Sequence, residues 1–198
     1  RQDENFDSVF GTGNALQNDL TISGGNENSN YFFSLGHLDQ DGVIRNASYE
    51  RTNARLNYEA KLNDKITLST KMAYTFTESN RIQQSSNVSG LMLGLLRTPP
   101  DFDGRDYKGT YYSSGGTEYI NRGRSYRKSI GESSNQSYTN PLWTVNEQES
   151  STKVNRITVT PQLTIKPTNW LQVITRGNVD VADDKRTYFF PVGDASSR

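Results

Sequence analysis

Apolar and polar side chains alternate along most of this chain with the period of two that marks a β-strand between unlike surroundings. Between 66 and 76, one face collects Ile66, Leu68, Thr70, Met72, Tyr74 and Phe76, and the other Thr67, Ser69, Lys71, Ala73 and Thr75. Stretch 152–165 sets Ile157, Val159, Pro161, Leu163 and Ile165 against Arg156, Thr158, Thr160, Gln162 and Thr164. Stretch 49–62 sets Ala54, Leu56, Tyr58, Ala60 and Leu62 against Arg51, Asn53, Arg55, Asn57, Glu59 and Lys61. Stretch 170–181 sets Leu171, Val173, Thr175, Gly177, Val179 and Val181 against Gln172, Ile174, Arg176, Asn178 and Asp180.

The alternation predicts strands at 17–23, 30–38, 49–61, 66–77, 152–165 and 170–181. Short turns at 24–27, 62–65 and 166–169 join them in pairs. Polar connections at 39–47 and 78–150 link the pairs, and the second, at about seventy residues, exceeds what compact soluble domains tolerate. Short turns alternating with long loops are how an outer-membrane barrel is written, with the turns periplasmic and the loops outside. The strands average about a dozen residues, beyond the 5–6 usual in globular sheets and close to the 9–11 of a tilted membrane strand. Pro161 has no ladder donor, so a bulge is expected there. Trp170, Tyr74 and Phe76 fall where interfacial aromatic girdles would lie. The fold class read from the pattern is all-β, an antiparallel up-and-down transmembrane β-barrel segment with one long extracellular loop.

Composition agrees. Only 32% of the 198 residues are hydrophobic and the mean hydropathy is −0.81, low for a filled soluble core but suited to a wall with one wet face. No run of about 18 apolar residues is available for a membrane helix. Eleven Tyr and eight Phe speak against disorder. The net charge of zero leaves no basic footprint for nucleic acid, and the absence of Cys removes disulfides and thiolate metal sites. The chain starts at Arg1 without a signal peptide, and six strands are too few to close a barrel, so the sequence reads as an internal segment of a longer protein.

Within 20–45, Ser23-Gly24-Gly25-Asn26 precedes Tyr31, and Ser34, Gly36, His37, Asp39, Gln40 and Gly42 follow at fixed spacing; Tyr49, Arg51, Arg55 and Asn57 come next. This run closely resembles the first barrel strands of the SusC/RagA family of TonB-linked outer-membrane transporters of Bacteroidota. His37 stands where that family usually has an aromatic residue. Arg97-Thr-Pro-Pro-Asp101 and Asn140-Pro-Leu-Trp143 resemble landmarks of the long loop that follows. The resemblance implies about six strands of a 22-stranded barrel: 17–77 as the first two strand pairs, 78–150 as the extracellular loop and 152–182 as the third pair, all of one barrel domain whose plug lies elsewhere. It also implies a SusD-like surface lipoprotein as partner, energy from TonB, an oligosaccharide or oligopeptide as solute, and the outer membrane of a Gram-negative bacterium as location.

Within the long loop, Val88, Leu91, Met92 and Leu95 at helical spacing predict a short helix with Asn87 as its cap, stopped by Arg97-Thr98-Pro99-Pro100. Tyr107, Tyr111, Tyr112, Tyr119, Arg122, Arg124, Tyr126 and Arg127 lie among Gly and Ser, a mixture suited to stacking on sugars or gripping peptides, or else to holding the loop together. Arg51, Arg55, Lys71, Arg156 and Arg176 on the polar faces are candidates to line a solute path, or simply a solvated lumen wall. Asp101, Asp103 and Asp106 are a weak calcium candidate lacking the closing Glu of a full loop, and otherwise a turn. The lone His37 lacks partners for a triad. No paired acids or nucleophile with base stand out, and no cofactor is called for, so the chain is not expected to be an enzyme. The competing reading is a soluble all-β carbohydrate-binding or adhesin module.

Overall fold

The structure, a computed structural model, describes residues 2–83, 86–126, 130 and 138–193. A helix α1 (Gln2–Val9) leads into the wall strands β1 (Ala15–Gly25), β2 (Ser29–Asp41), β3 (Ser48–Asn63) and β4 (Ile66–Asn80). The long loop carries α2 (Leu91–Arg97), a hairpin of β5 (Lys108–Tyr112) and β6 (Glu118–Gly123), and α3 (Pro141–Asn146). The wall resumes with β7 (Glu149–Thr168), β8 (Leu171–Arg176) and β9 (Val179–Phe189). Neighbours pair antiparallel in the order β1-β2-β3-β4-β7, with β8 and β9 both on β7. The fold is thus an up-and-down antiparallel barrel segment.

Side chains directly opposite one another share a face, so the register turns the strand pattern into rows across the wall. One row holds Ile22, Phe33, Leu56, Met72, Val159 and Val179; the next row of that face holds Leu20, Leu35, Ala54, Tyr74, Ile157 and Val181. The apolar rows begin at Ile66, Ile165 and Val173 near the short turns and end at His37 and Phe76. From Ile66 to Phe76 that is ten residue steps along β4, about 33 Å of strand, or about 25 Å of height at the usual barrel tilt. It matches the apolar band of an outer-membrane barrel. Just beyond it the same face turns charged at Asp39, Glu50, Glu78, Lys153 and Lys185, where Lys153 pairs with Glu78 at 2.7 Å.

The short turns are closed by the side chains the sequence supplies. Asn26 Oδ1 accepts from the N–H groups of Asn28 and Ser29 at 2.9 and 2.8 Å, and Asn63 Oδ1 accepts from Lys65 N–H at 2.9 Å. Gly24 sits beneath the Tyr31 ring, and a Cβ there would lie 2.8 Å from the Tyr31 hydroxyl. Trp170, at the β7–β8 turn, is 82% exposed, as suits an interfacial aromatic.

Several expectations need correction. Pro161 makes no bulge: β8 and β9 continue in one register on β7, and the missing N–H only interrupts the ladder at Gly177 and Asn178. Gly177 still donates to the Pro161 carbonyl at 3.0 Å. The irregularities lie instead beside the turns, between Lys61 and Asn63 and between Ile165 and Thr168. The last stave runs to Phe189 rather than 181, and α1 had no signal strong enough to predict it. The long loop contains two helices and a hairpin instead of one helix. Asn87 does not cap α2. Residues 87–89 form a turn on Ser86, whose Oγ accepts from Val88 and Ser89 N–H, and Gly90 is the N-cap.

Met72 lies mid-band on the apolar face and Lys71 on the opposite one. Met72→Arg is therefore expected to lower barrel stability by about 2–4 kcal/mol, the cost of Arg at the bilayer midplane, whereas Lys71→Ala leaves assembly intact. Heat-modifiable migration of the full-length protein reads this out, and equal tolerance of both changes would mean the faces are misassigned.

Candidate functional site

The face opposite the apolar band is polar and rich in guanidinium groups. The pairing places Arg51, Arg55, Lys71, Arg156 and Arg176 on it together. Arg55 and Lys71 border a depression of about 250 Å³ with Asn57, Thr158 and Thr160. Arg156 Nε donates to Asp180 Oδ1 at 2.9 Å, and Arg176 Nε to Gln162 Oε1 at 2.8 Å. Arg51 differs: its Nε is buried without a hydrogen-bond partner among the described residues.

At the loop end a small core folds over the rim. Val9, Ile82, Leu91, Leu95, Leu142 and Val145 are buried together, flanked by Phe6, Phe10, Ile44, Ala47 and Tyr107. The apolar stripe predicted for α2 is thus a packing face: Leu91 and Leu95 are interior while Met92 is exposed. Asn140 caps α3 with its Oδ1 on Leu142 N–H at 2.9 Å, Pro141 occupies the first turn, and Asn140 Nδ2 donates to Gly104 O at 3.0 Å. Trp143, 1% exposed, packs edge-on against Tyr107 at 6.3 Å. Tyr138 Oη donates to Arg97 O at 2.7 Å, tying the two loop landmarks together.

Asn46 anchors the β2–β3 loop to this core and escaped the sequence reading. Its φ of 63° turns Nδ2 toward Val145 O and Asn146 Oδ1 at 3.2 and 3.0 Å, while its carbonyl accepts from Asn80 Nδ2 at 2.7 Å. An Asn that tolerates the left-handed region, two residues before the strand start, is the signal that could have found it.

The loop aromatics divide into two groups. Tyr111 and Tyr119 stack across the hairpin at 5.8 Å, and the Arg122 guanidinium lies 5.1 Å from the Tyr119 ring. Tyr112 is exposed and its hydroxyl donates to Glu118 at 2.9 Å. These four stand out on the hairpin. Tyr107, Arg124 and Tyr126 instead serve cohesion. Tyr107 Oη donates to Glu147 at 2.9 Å, and its pKa is raised by burial and then by that carboxylate. Lys108, 2.6 Å from the same Glu147, is held protonated above its usual range by that bond. Arg124 covers the Phe102 ring at 4.8 Å and pairs with Asp106 at 3.0 Å, and Tyr126 meets Phe102 edge-on at 5.9 Å. Arg127 lies outside the described residues.

The structure does not draw Asp101, Asp103 and Asp106, the weak calcium candidates, into one acidic cluster. The described residues hold no group of three acids able to share an ion. Asp103 is held by Arg105 Nε and Nη2, each at 2.9 Å, and Arg105 brings its pKa down to about 2. Asp106 is committed to Arg124. His37 sits on the apolar face with Nδ1 3.0 Å from Thr52 Oγ1, a structural contact.

No family model matches the chain. The TonB-dependent receptor P39 of Formosa agariphila is 32% identical over 101 residues, half of this chain and a tenth of that protein. The TonB-dependent receptor P26 of the same organism is 27% identical over 99 residues, with the same coverage. The RagAB peptide importer in its closed-closed state superposes with a TM-score of 0.66 at 19% identity, covering 93% of this chain and 19% of that one. A second structure of the RagAB peptide transporter gives 0.68 at 18% identity with the same coverage. In sequence the chain is similar to part of these TonB-dependent receptors, and in fold it resembles a segment of the RagAB structures, a SusC/RagA-like barrel wall. It spans about a tenth of the length of the curated relatives it matches.

In this segment the loop core hinges on Trp143. Trp143→Ala is expected to lower the stability of the loop by about 3–5 kcal/mol while the strands persist. Limited proteolysis of the full-length protein should then cut within 81–148 and spare the wall. Unchanged loop protection would show that the core does not depend on that ring.

Proposed function

We propose that this segment belongs to an importer that carries oligopeptides or oligosaccharides across the outer membrane of a Bacteroidota bacterium. The observation that carries the reading is the division of one continuous sheet into an apolar band and a guanidinium-rich face, topped at one end by a folded loop. In this reading the apolar rows meet lipid, and Arg51, Arg55, Lys71, Arg156 and Arg176 line the lumen. Residues 78–150 form an external cover on a single barrel domain. A SusD-like lipoprotein closes over that cover, and TonB supplies energy through a plug elsewhere in the polypeptide. The chain's curated relatives are named as TonB-dependent receptors, and the RagAB structures superposed on it are named as a peptide importer, which supports import over catalysis.

A soluble binding module is disfavoured by the apolar rows themselves. Leu20, Ile22, Leu35, Met72, Ile157, Val179 and Val181 form one contiguous exposed apolar surface across the sheet, the kind of surface that marks a membrane or partner face. Uptake of labelled oligopeptides and oligosaccharides by cells making the full-length protein tests the proposal directly: import should stop when TonB is removed. Uptake indifferent to TonB would refute it.

Two further outcomes are expected. An impermeant thiol reagent applied to intact cells should label a cysteine placed at Gly115 and spare one at Asp64, and strong labelling at 64 would invert the topology. Replacing Tyr111 and Tyr119 together by Ala should weaken solute binding by roughly fivefold to a hundredfold, since each aromatic contact is worth about 0.5–1.5 kcal/mol. Calorimetric titration of the purified transporter measures this, and unchanged affinity would leave the hairpin a cover only.

A further inference from the structure

A cleft of about 750 Å³ opens where the polar face meets the loop core, lined by Gln40, Ile44, Tyr49, Asn80, Arg81 and Tyr188, among others. Its size is that of a small-molecule site. The register explains its chemistry. Gln40 and Tyr49 are opposite one another, and Arg186 lies in the same row through Ser79 and Thr152. Two residues further along the strands, Arg81 N–H donates to Ser150 O at 2.8 Å and Ser150 is opposite Tyr188. Two residues in the other direction, about 7 Å down the strand, the same face carries Arg51 and Asp184. In these three rows of one face, three guanidinium groups stand against one carboxylate. That carboxylate is already taken, because Asp184 is paired with Arg186 at 2.6 Å. Arg51 stands one row below the residues that line the cleft, where its charge adds to the positive field at the cleft without forming its wall.

We propose that this cleft binds a carboxylate of the transported oligomer, gripped by Arg81 between the rings of Tyr49 and Tyr188. Guanidinium groups match carboxylates in charge and in planar, two-pronged geometry. Gln40 offers an amide to the neighbouring polar groups of the oligomer, and the two phenol rings supply flat apolar walls. The β2–β3 loop, fixed to α3 through Asn46, roofs the cleft with Ile44 and Ala47. The cleft thus stands at the mouth of the guanidinium-lined face, where an acidic end group is oriented before the rest of the chain enters. The inference rests on the import reading and adds to it a preference among solutes. The same carboxylate can come from a peptide C-terminus or acidic side chain, or from a uronate sugar.

Fluorescence polarisation on the detergent-solubilised full-length transporter separates these cases. The probes are a labelled mixed-sequence octapeptide pool with free carboxylates, the same pool with its carboxylates amidated, a labelled oligogalacturonate, and its methyl ester. At least one acidic probe is expected to bind about tenfold or more tightly than its neutral partner, and which one does so names the source. Arg81→Gln should abolish that preference, bringing the acidic probe down to the affinity of its neutral partner, and Arg81→Lys should retain part of it. Arg81 is exposed, so these variants keep the fold, and unchanged heat-modifiable migration of the full-length protein confirms it. Equal binding of acidic and neutral probes, binding of neither acidic probe, or a preference that survives Arg81→Gln would overturn the proposal. Because binding is read without an energised membrane, loss of the import reading through TonB-independence would leave this result separately legible.

Discussion

Hydrocarbon offers no partner to a backbone N–H, so a strand that crosses it must pair along its whole length. The rest of this molecule follows from that constraint. β4 and β7 stay in unbroken register from Ile66–Ile165 to Asn80–Ser151, and a constant register forces every second side chain to the same face in every stave. The tolerated defects lie where water or a turn relieves them, beside Asn63 and Thr168. Pro161 is the one exception inside the band. It is accommodated by losing a single ladder bond opposite Gly177, with no register shift. A slip of one residue would bring Arg55, Lys71 and Arg156 onto the apolar face, at several kcal/mol for each Arg or Lys near mid-membrane.

The loop end obeys the opposite logic. Water reaches it, so it needs no continuous ladder, and it is held by a small apolar core with side-chain bonds to backbone groups. Asn140, Tyr138 and Asn46 each bridge segments distant in sequence. Trp143 fills the centre. The result is a fixed roof over the mouth of the polar face, from which the Tyr111–Tyr119 hairpin projects. Rigid strands and a rigid roof together hold the cleft around Arg81, because Arg81 continues the line of β4 while Ile44 and Ala47 come from the loop above it.

The wall was largely legible because strand alternation is local: the parity of Ile66–Phe76 is visible without any partner. The five basic residues expected on the polar face follow from the same parity, and so does the apolar band. The roof was not legible for the converse reason. α1 owes its place to Val9 packing against Ile82, Leu91 and Leu142, contacts with no trace in its own short polar sequence. The cap of α2 was misjudged because Ser86 takes over as turn-former, diverting Val88 from the helix. The three aspartates looked like a cation turn because nothing in their spacing reveals that Arg105 and Arg124 occupy two of them. Tyr107 and Tyr111, four residues apart in one Tyr-rich run, part company only once Glu147 and Trp143 are folded beneath the first.

The central claim is that one parity of this sheet meets lipid and the other meets water. Spin labels placed singly at positions 67 to 75 of β4 in the full-length protein, reconstituted in bilayers, test it most directly through collisional access to oxygen and to a water-soluble nickel chelate. Oxygen access should peak at Leu68, Thr70, Met72 and Tyr74, and nickel access at Thr67, Ser69, Lys71, Ala73 and Thr75. Access to both reagents that varies smoothly along the strand without this alternation would contradict the account.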